Sequence, residues 1–188
     1  MSFLNRAMLV KVHMLLAAFV FPVALMFLVT GSFYTWGIKG SYNSEVHMLS
    51  LEEPLAADIQ PLKSLVEHEL QKLSIPIPSG GAKIKEGGTS FQLEWTGSER
   101  DVVLEPTSDN LSAKLTIKET TWYRHLVQLH KAKGGQLFKV YAAILAASLF
   151  TILLSGFIMA WQVPKYRSSA LIFAAAGICM FLLMVSAS

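Results

Sequence analysis

The chain has 188 residues, is 53 % hydrophobic and has a mean hydropathy of +0.45, too apolar for an ordinary soluble domain of this size. Its net charge of +3 comes from basic residues dispersed among acids, which excludes a nucleic-acid patch. The single cysteine, Cys179, excludes an intrachain disulfide and CxxC or CxxCH chemistry, and reads as a small packing residue.

The first predicted element is an apolar helix over 12–36, preceded by Arg6 and Lys11. About 20 predominantly apolar residues suffice to span hydrocarbon. This run is longer than the core of a secretory signal, and no small-residue cleavage pattern follows Trp36, so it reads as a retained membrane helix.

Between residues 40 and 120 the pattern changes. All 13 acidic residues lie from Glu45 to Glu119, and 12 of the 16 Lys and Arg lie from Lys39 to Lys139. The segment 54–73 carries Leu55, Ile59, Leu62, Leu65, Val66 and Leu70 at the spacing of an amphipathic helix. "IPIPSGG" (75–81) ends it, and strands are expected at 82–86, 89–95, 100–106 and 112–119. Phe91, Leu93 and Trp95 alternate with polar residues, as a half-buried strand requires. The expectation is a small α+β module with a thin core, leaning on the membrane helices or on a second copy. The pairs Gly80-Gly81, Gly87-Gly88 and Gly134-Gly135 fit no phosphate-binding loop, so the chain shows no nucleotide or flavin site of its own.

Two more apolar runs follow, 137–162 and 168–187, joined by a short turn that holds Lys165 and Arg167. Basic residues in short loops set orientation, whereas long domains translocate regardless of charge. The expected fold class is therefore membrane α-helical, with three transmembrane helices and a small α+β extracytoplasmic domain. The segments are 1–36 (cytoplasmic N-terminus and first helix), 37–135 (outer domain), 136–162 (second helix), 163–167 (cytoplasmic turn) and 168–188 (third helix). Trp36 with Tyr34, and Trp161 with Tyr166, fall where interfacial aromatic belts belong.

The apolar cores of these helices contain no Asp, Glu, Lys or Arg, which argues against an ion pathway or a divalent-metal transporter built on carboxylates. What remains near the membrane is imidazole, a ligand of b-type haem and of transition metals. His13 lies about one turn inside the first helix, and His130 is expected to open the second. Each is either a haem or metal ligand or an interfacial histidine that meets headgroups or water. His125 is a further cofactor candidate, but five residues of helix rotate about 500°, so it faces ~140° away from His130. His13 and His130 fall at opposite ends of the first helix, so they cannot share one haem within a chain. A twofold dimer in which each copy donates the same histidine would complete the ligand set. An axial Met14, Met159 or Met184 is the alternative. Lys131, Lys133 and Lys139 are candidates for attracting haem propionates or an anionic chelate. Gly31, Gly156 and Gly177 would permit close approach of helices or of a flat macrocycle. In the outer domain, His47 near Glu45, and His68 between Glu67 and Glu69, offer weaker metal-binding combinations.

Two stretches carry a family resemblance. "HMLLAAFVFPVALMFLVTG" (13–31) resembles the first helix of PepSY-associated transmembrane proteins, and so does the "LH", glycines and "SG…W" pattern of 129–161. The intervening helix and strands resemble a PepSY domain. The three-helix plan is similar to that of small VciB-like membrane ferric reductases. The usual Arg-Trp and nearby Gly beside the first histidine are replaced here by "MLLAA". The resemblance implies haem b held by His13 and His130, and a bacterial inner-membrane protein with a periplasmic main domain. It also implies ferric iron or a ferric chelate as substrate, while the sequence leaves the electron donor open between a quinol, a flavoprotein and a neighbouring cytochrome. With fewer helices than the larger reductases, the chain is expected to form a homodimer in the bilayer. The alternative is a non-enzymatic accessory subunit whose outer domain binds a partner.

Overall fold

The computed structural model describes residues 5–87 and 90–188. Residues 1–4 of the expected N-terminal segment, Gly88, and Thr89 of the expected strand 89–95 lie outside the described residues. In chain order the elements are α1 (Arg6–Thr35), β1 (Tyr42–Ser50), α2 (Ile59–Lys72), β2 (Ala82–Gly87), β3 (Ser90–Thr96), β4 (Arg100–Pro106), β5 (Ser112–Thr120), α3 (Trp122–His130), α4 (Gln136–Gln162) and α5 (Pro164–Ser186). They form two compact units, Met1–Ala24 with Ala143–Ser188, and Leu25–Ala142.

Three helices, α1, α4 and α5, are long and apolar enough to cross a membrane. At 30 residues α1 is about 45 Å long at 1.5 Å per residue, more than the ~30 Å of hydrocarbon in a bilayer. Its interior Pro22 removes one backbone donor from the helical ladder. In the first unit Leu9, Val20, Leu145, Ser148 and Ser155 are buried, while no residue of α5 is. Apolar side chains that face outward all around a helix match lipid rather than water. The turn between α4 and α5 is shorter than expected. Val163 caps α5, and Pro164 occupies its first turn, where a missing N–H costs nothing, so Lys165 and Arg167 lie within the helix.

The second unit holds an antiparallel sheet in the order β1-β5-β4-β3-β2. Strands β2 to β5 form a meander, and α2 carries the chain from β1 at one edge to β2 at the other. Leu62, Val66 and Leu70 recur every four residues on α2 and are buried with Leu93, Trp95, Val102, Leu104, Ala113, Leu115 and Ile117 of the sheet. Each large aliphatic side chain buried this way stabilises the unit by roughly 1.5–3 kcal/mol. The amphipathic segment becomes helical only from Ile59, because Asp58 accepts from Gln60 N at 3.1 Å and so caps the N-terminus. Leu55 lies ahead of the helix yet still packs on the core.

Two features depart from expectation. Strand β1 is a fifth strand, paired with β5 from Tyr42↔Thr120 to Ser50↔Ser112. His47 is opposite Leu115, and both face the core, whereas Val46 and Met48 are exposed. The usual apolar-in, polar-out pattern is partly reversed there, so alternation conceals the strand. The second departure concerns His130, which ends α3 instead of opening the second long helix. Lys133 N donates to Gln128 O at 3.1 Å and Ala132 N to Leu129 O at 2.9 Å, with Ala132 at φ 56°. This is a Schellman stop, usually built on glycine.

Candidate functional site: two histidine cradles

In the second unit α3 packs against the end of the sheet. By register, Asp101 and Tyr42 lie on the face opposite α2, opposite Lys118 and Thr120 respectively. There Tyr42 donates to Asp101 Oδ2 at 2.6 Å, and the Gln128 side-chain amide donates to the same oxygen at 3.2 Å. Gly97 N donates to Asp101 Oδ1 at 3.2 Å, and Lys133 Nζ lies 3.6 Å from that oxygen. Arg124 donates to the Lys39 carbonyl and to the Tyr42 hydroxyl. Burial, and next the bond to the Asp101 carboxylate, raise the Tyr42 phenol above its usual pKa. Burial pulls the Lys133 ammonium down, against the attraction of Asp101. Gly40, which leads into β1, has φ +72°, and a Cβ there would lie 2.8 Å from Arg124 N. Only a residue without a side chain lets the chain pass α3 this closely.

With α3 held this way, its two histidines go to different places. His125 Nδ1 lies 2.9 Å from the Ser98 carbonyl in the β3–β4 turn. Its ring borders an open cleft with Glu99, Arg100 and Glu119. His130 Nδ1 lies 2.7 Å from Thr30 Oγ1 of α1. Thr30 is 1 % exposed, and its hydroxyl is also 2.7 Å from the Met26 carbonyl. Phe27 lies against the imidazole, with ring centroids 4.6 Å apart. Gly31 leaves room for the ring: a Cβ there would sit 3.1 Å from His130 Cε1. A mainly apolar groove of about 340 Å³ opens at this place, lined by Thr30, Gly31, Tyr34, Val127, His130 and Lys131. Lys131 Nζ lies 5.6 Å from the centre of the Tyr34 ring.

The first unit repeats this chemistry between α1 and α4. His13 Nδ1 of α1 lies 2.9 Å from Ser155 Oγ of α4. Ser155 is 3 % exposed and donates to the Ile152 carbonyl at 3.0 Å. Gly156 follows it, and a Cβ there would lie 3.6 Å from His13 Cε1. In both cradles a hydroxyl residue followed by glycine on one helix holds a histidine from another. Among the described residues, neither His13 Nε2 nor His130 Nε2 has a protein hydrogen-bond partner.

The remaining candidates are engaged elsewhere. Lys133 pairs with Asp101 and not with an open anion site. On α2, Glu67 pairs with Lys63 at 3.3 Å and Glu69 with Lys72 at 2.7 Å, while His68 is exposed. His47 Nε2 is 3.8 Å from Glu45. No group of three or more His, Cys, Asp or Glu converges among the described residues. Met14 and Met184 are exposed, as is Cys179. A Cβ at Gly177 would meet nothing within 4 Å. Thr30 and Ser155 escaped the sequence reading as histidine partners. Their signal was a hydroxyl residue directly before a glycine inside an apolar helix.

The fold therefore defines a chain with three membrane-length helices, an antiparallel α+β module and two helix-borne histidine cradles. No protein-family model matches the chain, and no curated protein or solved structure matches it.

Proposed function

We propose that this chain is a haem b-binding membrane protein of the PepSY-associated kind that reduces ferric iron in support of iron uptake. It sits in a bacterial inner membrane with the N-terminus cytoplasmic and the α+β module outside. One observation carries the reading: the imidazoles of His13 and His130 are held through Nδ1, and among the described residues their Nε2 atoms have no protein partner. The donor set fits the group, since neutral imidazole is the usual protein ligand of b-type haem and the groove at His130 is mainly apolar.

What a haem supplies when bound is one-electron transfer, here from an external donor (a quinol, a flavoprotein or a neighbouring cytochrome) to ferric iron or a ferric chelate. His13 and His130, in separate cradles, are the residues that would each offer Nε2 to a haem iron. Apolar helix walls around such a bond would tune its potential. Lys131 at the groove rim offers a cation to a carboxylate of the bound group. A groove of about 340 Å³ is at the small end for a ligand site. A twofold dimer in which each copy donates the same histidine would complete the ligand set.

Absorption spectra of the purified full chain from haem-sufficient cells, with a haem-to-chain ratio, test this. The expected result is a Soret band that shifts on reduction, lost or reduced in His13→Ala and His130→Ala. A colourless wild type, or both variants with an unaltered spectrum, overturns it. A non-enzymatic accessory subunit is the second reading, favoured by α5. No residue of that helix is buried, so it presents an apolar surface to lipid or to a larger complex.

A further inference from the structure

We propose that Thr30 and Ser155 are positioning residues that fix His130 and His13 in the tautomer with hydrogen on Nδ1, making Nε2 the donor atom in both cradles. A hydroxyl has one hydrogen to give. Thr30 Oγ1 lies 2.7 Å from the Met26 carbonyl and 3.3 Å from that of Phe27. Two oxygens at 2.7 Å repel unless a hydrogen lies between them, and a carbonyl has none. The Thr30 hydrogen therefore belongs to its own helix. The contact of 2.7 Å to His130 Nδ1 must then be bridged by the imidazole's hydrogen. Ser155 repeats the logic, with its hydrogen on the Ile152 carbonyl at 3.0 Å and His13 Nδ1 at 2.9 Å.

Each hydroxyl thus relays a backbone carbonyl's demand for a hydrogen across to a histidine on another helix. In an apolar span the helical carbonyl offers a fixed acceptor, and no water competes for it. The neighbouring glycine keeps the approach open. An acceptor on Nδ1–H also makes the ring a stronger electron donor through Nε2. The tautomer itself is independent of the haem reading, and only its redox consequence rests on that reading.

The test is nitrogen NMR on the full-length, haem-free chain in detergent micelles at alkaline pH, with isotope-labelled histidine rings. Wild type is expected to show the unprotonated nitrogen at Nε2 for both His13 and His130. Thr30→Val should shift His130 to a mixed or reversed tautomer and leave His13 unchanged. Ser155→Ala should do the converse, and Thr30→Ser should keep the wild-type pattern. Hydrogen on Nε2 in wild type overturns the proposal, and that result needs no folded variant. Unmoved tautomers in folded Thr30→Val and Ser155→Ala overturn it as well. In haem-loaded protein, Thr30→Val should raise the midpoint potential and Thr30→Ser should restore it. A chain that never takes up haem defeats the reductase reading and leaves the tautomer result standing.

Discussion

Tyr42 donates its phenolic hydrogen to Asp101 Oδ2 at 2.6 Å, joining β1 to β4 across the intervening β5. The same carboxylate accepts from Gly97 N and from Gln128, which is fully buried. One acid thus gathers two strands, a turn and the helix that carries His130.

Asp101→Ala strands these donors in a buried place. Leaving a buried polar group unpaired costs about 1–3 kcal/mol, so the total loss should be about 3 kcal/mol or more, read as a lower unfolding midpoint. Tyr42→Phe removes one donor to Asp101 and the hydroxyl that accepts from Arg124 and Gln128, but leaves Gly97 N and Gln128 on the carboxylate, and should cost less, about 1–2 kcal/mol. Equal losses in the two variants would show that Asp101 acts only through Tyr42.

The two cradle glycines should respond differently to a methyl group. A Cβ at Gly31 would come within 3.1 Å of the His130 ring, against 3.6 Å between Gly156 and His13. The first is tight and the second is ordinary contact. Gly31→Ala should displace His130 and weaken the haem binding proposed for it at least several-fold, even though alanine favours the helix by about 1 kcal/mol. Gly156→Ala should bind as wild type and melt no lower. Ligand titration with thermal unfolding separates the two outcomes.

The stop after α3 offers a stabilising change. Ala132 adopts φ 56°, a conformation that costs residues with a Cβ about 1 kcal/mol and glycine almost nothing. Ala132→Gly should therefore raise stability by up to ~1 kcal/mol and leave the position of His130 intact. Slower amide exchange at Ala132 N and Lys133 N, which close this turn, is the expected signature.

Acid should weaken the antiparallel sheet through Glu94. Burial raises its pKa, but Lys85 at 2.7 Å and Lys83 at 3.7 Å outweigh this and hold it below its ordinary value. A depressed native pKa means that the contribution is present above about pH 4.5 and is lost as pH falls through the native value. Both lysines are more than half exposed, so screening limits the effect to about 0.5–1 kcal/mol. Unfolding midpoints of Glu94→Gln should fall less steeply below pH ~4.5 than those of wild type.

The amino-acid order by itself determined the features that depend on neighbours along the chain. Apolar run length marked α1, α4 and α5. Alternation marked β3, and the spacing of Leu62, Val66 and Leu70 marked α2. Polarity patterning missed β1, because His47 faces the core while Val46 and Met48 face out. An alanine where glycine is usual hid the break between α3 and α4. Only the tertiary structure decided the partners of the two histidines: Ser155 lies 142 residues from His13, and Thr30 lies 100 residues from His130. Periodicity records which face a residue takes on its own helix. Which hydroxyl meets which imidazole is set by the docking of distant helices, and no local pattern encodes it.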